Sequence, residues 1–202
     1  MYPYVNPLTG TTYQKNLYDI AQENHKVQTS FCSAYASYNA DDLDAIKKDF
    51  CAVRKQDLNS ADAFHENGGR EYIFVEFKDM SLEYMDQIGH GTPKIDPKTG
   101  IEKQEETMVV ALHKKAFDSI AVAGGTVCSN IARSDISKQA IFIVVRQDDP
   151  AAFTQFAQQL QALAGLGSKP LWGLEDLVVA GLYREVWTLQ ESEFGGVLQT
   201  LW

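Results

Sequence analysis

From Tyr13 to Tyr38 the apolar residues Leu17, Ile20, Ala21, Val27, Phe31, Ala34 and Tyr38 recur three and four positions apart. That spacing predicts one helix, or two short ones, with a partly buried stripe. The stretch before it, Met1 to Thr12, mixes prolines, a glycine and tyrosines, and reads as an irregular lead-in that packs by its rings or frays. Asn39 to Asp44 supply a turn or a helix cap. Phe50-Cys51-Ala52-Val53 then reads as a short apolar strand, with Asp49 at its start and Arg54 at its end. Lys55 to Gly69 is polar and closes on Asn67-Gly68-Gly69, a strong turn signal. The run Glu71 to Lys78 follows as a second strand, and the nearness of the two favours antiparallel pairing.

Beyond it, Asp86 to Glu106 is polar and is expected to form an exposed loop or small hairpin, turning at Pro97-Lys98-Thr99-Gly100. Met108, Leu112, Lys115/Ala116, Ser119 and Ile120 restore helical spacing between Glu105 and Ala123, and Gly124-Gly125 is the stop. Gln139 to Arg146 is rich in β-branched residues and apolar on both faces, which predicts a central strand covered on both sides. It should lie in the same sheet as the two earlier strands. Pro150 suits the first turn of a helix over Ala151 to Leu166. Trp172 to Gly181 reads as a short helical or irregular piece, and Tyr183 to Leu189 as a last strand. The succession predicts an α/β fold, a mixed β-sheet flanked by helices on both faces. One domain over residues 1–202 is expected, its core spanning about 13–189.

A hydrophobic fraction of 45% supports a sizeable core. The absence of an 18-residue apolar run or a secretory leader makes a cytoplasmic, non-membrane protein the expectation. With 27 acidic against 18 basic residues the net charge is −9, which argues against a wholly basic nucleic-acid-binding surface but leaves room for a local basic groove. Cys32, Cys51 and Cys128 lack metal or disulfide spacing, and Cys51 and Cys128 are expected to be buried thiols. His25, His65, His90 and His113 share no zinc-binding spacing, no G-x-S-x-G elbow occurs, and the tryptophans 172, 187 and 202 are expected to pack apolar surface.

Chemistry is suggested by the end of the second strand. Alternation puts Tyr72, Phe74, Glu76 and Lys78 on one side and Ile73, Val75 and Phe77 on the other. Glu76 and Lys78 therefore point the same way beside an apolar strand body. Asp49, 27 residues upstream, would meet Glu76 at the mouth of the sheet if the two strands pair. Two converging carboxylates repel unless a cation lies between them, and Mg²⁺ favours such hard oxygen ligands while keeping waters. A water on that ion can attack phosphorus, with a nearby lysine to orient it or offset charge. The ordinary reading of Glu-x-Lys is a solvent-facing ion pair of little energetic value.

KKDFCAV, a polar connector with glycines, and YIFVEFK together resemble the core of the PD-(D/E)xK nuclease superfamily, the restriction-endonuclease-like fold. The resemblance covers roughly residues 17–146. It implies phosphodiester hydrolysis of nucleic acid, DNA in preference to RNA, with Mg²⁺ for which Mn²⁺ can substitute. On this pattern Asp49 resembles the first metal-ligating aspartate, Glu76 the second acidic ligand and Lys78 the catalytic lysine. Glu23 fits the glutamate often supplied by the first helix. Lys114 or Lys115, with Ser119 one turn beyond Lys115, would suit the polar positions of the later helix that face nucleic acid. Lys48, where the pattern has proline, departs from it. Two other readings stand beside this one: an interaction protein of phage or mobile-element type that keeps the fold without hydrolysis, and an unrelated sheet with a structural Glu76–Lys78 pair. A dimer is compatible with any of them.

Overall fold

A computed structural model describes residues 4–24, 33–55, 57–68, 71–78, 93–95, 102–104, 108–146 and 173–202. Its centre is a six-stranded mixed sheet. In order across it the strands are β1 (Gln14–Asn16), β2 (Asn39–Asp42), β3 (Ala63–Asn67), β4 (Glu71–Lys78), β7 (Ala140–Arg146) and β8 (Glu185–Gln190). From β1 to β4 neighbours run antiparallel, whereas β7 runs parallel to β4, and β8 parallel to β7. A separate antiparallel pair, β5 (Pro93–Ile95) and β6 (Glu102–Gln104), makes the small hairpin expected within 86–106.

Helices cover both faces. On one, α2 (Leu43–Arg54) and α3 (Met108–Gly125) bury Leu43, Ile46, Leu112 and Ala116 against Phe64, Phe74 and Phe142, joined by residues from α4 (Arg133–Gln139) and α5 (Glu175–Val179). On the other, α1 (Leu17–Asn24), a 3-10 turn (Ser33–Ser37) and α6 (Glu191–Leu201) bury Leu17, Ile20, Tyr35 and Phe194 against Val75, Phe77 and Ile143. The alternation expected along Glu71–Lys78 is observed: Tyr72 and Phe74 enter the first cluster, Ile73, Val75 and Phe77 the second. Each such large side chain withdrawn from water contributes roughly 1.5–3 kcal/mol. β7 is buried along its whole length, as a central strand covered on both sides must be.

The first quarter departs from expectation. Phe50–Arg54 is not a strand pairing with β4 but the last turns of α2. Leu43, Ile46 and Phe50, three and four residues apart, form its buried stripe, and the Asp42 side chain caps it by accepting from the Ala45 amide at 2.8 Å. The apolar run FCAV reads as a strand only when separated from the LDAIKKD that precedes it. The segment Tyr13–Tyr38 holds β1 and then two short helical pieces, α1 and the 3-10 turn Ser33–Ser37, with residues 25–32 outside the described residues. Asn39–Asp42 is strand as well as cap. α6, unexpected although Phe194, Val197, Leu198 and Leu201 recur three and four apart, follows β8 through a capping box in which Glu193 accepts from the Gln190 amide at 2.9 Å.

α3 runs through Gly124 and Gly125 before it turns. Tyr4 of the lead-in stacks on Tyr13, ring centroids 5.9 Å apart. Cys128 is buried, Cys51 half-buried, and both are free thiols. The expected helix 151–166, the turn 97–100, Cys32 and Trp172 lie outside the described residues. Among those described, no helix is long and apolar enough to cross a membrane.

Candidate metal and phosphate site

Because β3 and β4 are joined through the turn at Asn67-Gly68, their register is a reflection. Asn67 pairs with Glu71 and Ala63 with Val75. One step further, Asp62 comes opposite Glu76. The Asp62 amide donates to the Val75 carbonyl at 3.0 Å, and its Oδ2 accepts from the Phe77 amide at 2.7 Å. The carboxylate thus extends the pairing one residue before the start of β3 and is fixed by it.

Glu76 is fully buried and Asp62 nearly so. Two ammonium groups reach them. Lys78 Nζ lies 2.6 Å from Glu76 Oε1, and Lys115 Nζ, from α3, lies 2.7 Å from Oε1 and 2.9 Å from Oε2. Lys115 Nζ is also 3.6 Å from Asp62 Oδ1. Ser119, one turn on, sets α3 against the entrance to β3: its Oγ accepts from the Ala61 amide at 2.7 Å and donates to the Lys115 carbonyl at 2.6 Å. Nearby, Asp44 at the start of α2 pairs with Lys47 and, at 3.1 Å, with Lys48, while Ser60 Oγ donates to it at 3.4 Å.

Burial, reinforced by the neighbouring Glu76 charge, pushes the Asp62 carboxyl up to about 7. Burial pushes Glu76 in the same direction, but Lys78 and Lys115 outweigh it and hold Glu76 below the ordinary carboxylate range. For Lys115 burial favours the neutral amine, and Glu76 and Asp62 reverse that, so its ammonium is held above the usual lysine value. The result is one firmly ionised glutamate shared by two cations, beside an aspartate that surrenders its proton reluctantly.

Of the residues expected at this site, Glu76 and Lys78 are together, and Lys115 and Ser119 join them. Asp49 does not. It sits on α2 and accepts from the Tyr13 hydroxyl and from Asn6 Nδ2 at 3.2 Å, bracing the lead-in. The place beside Glu76 expected for Asp49 is taken instead by Asp62, 14 residues before Glu76. Helix α1 packs Leu17, Ile20 and Ala21 on the face of Ile73, Val75 and Phe77, and the side chain of Glu23 on it lies outside what is described. Lys114 is exposed on α3, where it lines a groove with Phe117 and Asp118. Asp62 had a usable signal: the Asn67-Gly68-Gly69 run announces a turn before Glu71, and a tight hairpin there brings residues just before Ala63 opposite Glu76. The polar surroundings of Asp62 and the attraction of FCAV as a strand concealed it.

Among the described residues no group of three or more His, Cys, Asp or Glu side chains is arranged to hold a metal ion. The protein's share of such a site would be Asp62 and Glu76, and the donor set fits. Both supply hard carboxylate oxygens, a cation (the Lys115 ammonium) is already chelated between them, and Mg²⁺ commonly takes only one or two carboxylates plus waters and phosphate oxygens. Comparison with known proteins finds no matching family model, no matching curated protein and no matching solved structure.

Proposed function

We propose that the chain is a Mg²⁺-dependent phosphodiester hydrolase acting on nucleic acid, DNA in preference to RNA, built on a restriction-endonuclease-like core with Asp62 taking the part first assigned to Asp49. The observation that carries this reading is the convergence of Asp62, Glu76 and Lys78 at one end of adjacent antiparallel strands, next to a strand running parallel to the second of them. Asp62 and Glu76 would hold the ion, for which Mn²⁺ can substitute. The ion would supply a water of lowered pKa and neutralise phosphate charge. Lys78, whose ammonium lies 2.6 Å from Glu76 Oε1, would offset that charge and orient the water. Lys47 and Lys48, arrayed around Asp44, add positive potential on the same side of the sheet. Hydrolysis adds water across one P–O bond, leaving a phosphate monoester on one side and a protonated hydroxyl on the other.

One observation favours a second reading, a non-hydrolytic interaction protein: the quartet is already neutralised by its own lysines. The experiment offers single- and double-stranded DNA and RNA with Mg²⁺ and with Mn²⁺. Cleavage by the parent is expected, lowered on the order of 10²-fold or more in Glu76→Gln and Lys78→Ala, and unchanged in Asp49→Asn. No cleavage of any substrate by the parent would leave the interaction reading in its place.

A further inference from the structure

Lys115 is bound as a ligand-held ion is bound. Its ammonium meets both oxygens of Glu76 and faces the near oxygen of Asp62, while Lys78 approaches Glu76 at Oε1. The side chains of the two acids are 0% and 4% exposed, while that of Lys115 is 26% exposed, so the lysine reaches water where the acids do not. We propose that Lys115 is the site's resident cation: it occupies the place between Asp62 and Glu76 that a divalent ion takes, and the ion binds by exchange with it rather than by addition. This rests on the metal-site reading above, though not on the substrate or on hydrolysis.

Two features make exchange practicable. The lysine stem is long and flexible, so its head can leave without moving α3, whose backbone is held at Lys115 by Ser119. The expelled ammonium stays tethered beside the ion, where it adds to the positive charge met by an incoming phosphate. Exchange also explains how two buried carboxylates, 14 residues apart on one hairpin, can face each other before any ion arrives. Without a cation their repulsion would act directly on the pairing of β3 with β4.

Exchange lowers apparent ion affinity by the fraction of molecules in which the lysine has moved away. Removing the ammonium should therefore tighten binding and make stability ion-dependent. Lys115→Met keeps an unbranched apolar stem, and Lys78→Met is its comparison. By calorimetry with Mn²⁺, Lys115→Met should bind about ten-fold more tightly or better than the parent, and Lys78→Met should gain clearly less. In a chelator, Lys115→Met should melt lower than the parent, and Mn²⁺ should restore most of the loss. Should it fail to fold in chelator, refolding from urea with and without Mn²⁺ gives the same reading, recovery only with the ion being the expected result. Equal gains in the two variants would make the effect one of general charge and overturn exchange. No tighter binding by Lys115→Met, or no recovery with Mn²⁺, would overturn it as well. A parent that binds Mn²⁺ and cuts nothing would sink the nuclease reading alone. A nuclease whose Lys115→Met variant binds no tighter would sink the exchange alone.

Discussion

His65, on β3, lies flat against Trp202, ring centroids 4.3 Å apart, with its Nδ1 buried and lacking a hydrogen-bond partner among the described residues. A proton there would have to be carried out of water, and burial pushes the imidazole down to about 4. Between pH 6.5 and 4 an unfolded His65 therefore takes up a proton that the folded one refuses. The unfolded state binds more protons, so this group removes stability as pH falls through that window. Asp41, buried and pushed up to about 6, works in the opposite sense over an overlapping range. His65→Phe keeps a ring on Trp202 without the titration. Its stability relative to the parent, from urea denaturation at pH 7, 5.5 and 4.5, should rise steadily toward acid; a constant difference would show that His65 carries no linkage. Residues of this kind differ in legibility. Glu76 and Lys78 were readable because strand alternation is local, and Ser119 and Lys115 because a helix turn is local. Asp62 depended on choosing the right turn, and Asp49 looked suitable only because a carboxylate beside an apolar run resembles a strand mouth.

At the scale of elements, the contact between α2 and α3 is close enough to require glycine. A Cβ at Gly125 would lie 2.4 Å from Phe50 Cε2 and 2.8 Å from Cζ. Phe50 cannot swing away freely, because it is nearly buried and Arg54 lies over its ring at 4.5 Å. Gly125→Ala should therefore destabilise by about 1–3 kcal/mol, even after the usual helical gain over glycine. Gly124→Ala would meet Arg133 Cγ at 3.0 Å, the middle of a flexible chain, and serves as the comparison. Urea midpoints should separate the two clearly; equal midpoints would mean that the helices shift apart without cost. Gly124-Gly125 looked like a stop signal in the sequence, and the packing role of Gly125 was illegible without knowing that Phe50 belongs to a helix. That helix was itself obscured by FCAV, while its cap at Asp42 was in plain view. β4 and β7 were legible because each is an uninterrupted apolar run, and their common sheet followed from it.

For the whole molecule, two layers of helix on one sheet separate different duties. The layer of α2 and α3 contains the charged quartet, and the layer of α1 and α6 is apolar packing against Phe77 and its neighbours. Sequence reasoning reached the layered arrangement without α6, because Glu191–Leu201 begins where a strand ends and contains two glycines in mid-course. The seam between the layers is the backbone of β4, and there Asp62 has a divided task. Its Oδ1 faces the cation, while its Oδ2 holds the Phe77 amide at 2.7 Å. The chemistry of the site is thereby wired into the solvent exchange of a single main-chain hydrogen. Phe77 should exchange slowly in the parent, and Asp62→Ala should speed it on the order of ten-fold or more, the scale of a lost charge-assisted bond. Amides elsewhere on β4 should barely change; if they quicken equally, the carboxylate is no more than one stabilising contact among many. A selective change would make Phe77 a backbone gauge of Asp62, readable by deuterium uptake with no substrate in hand.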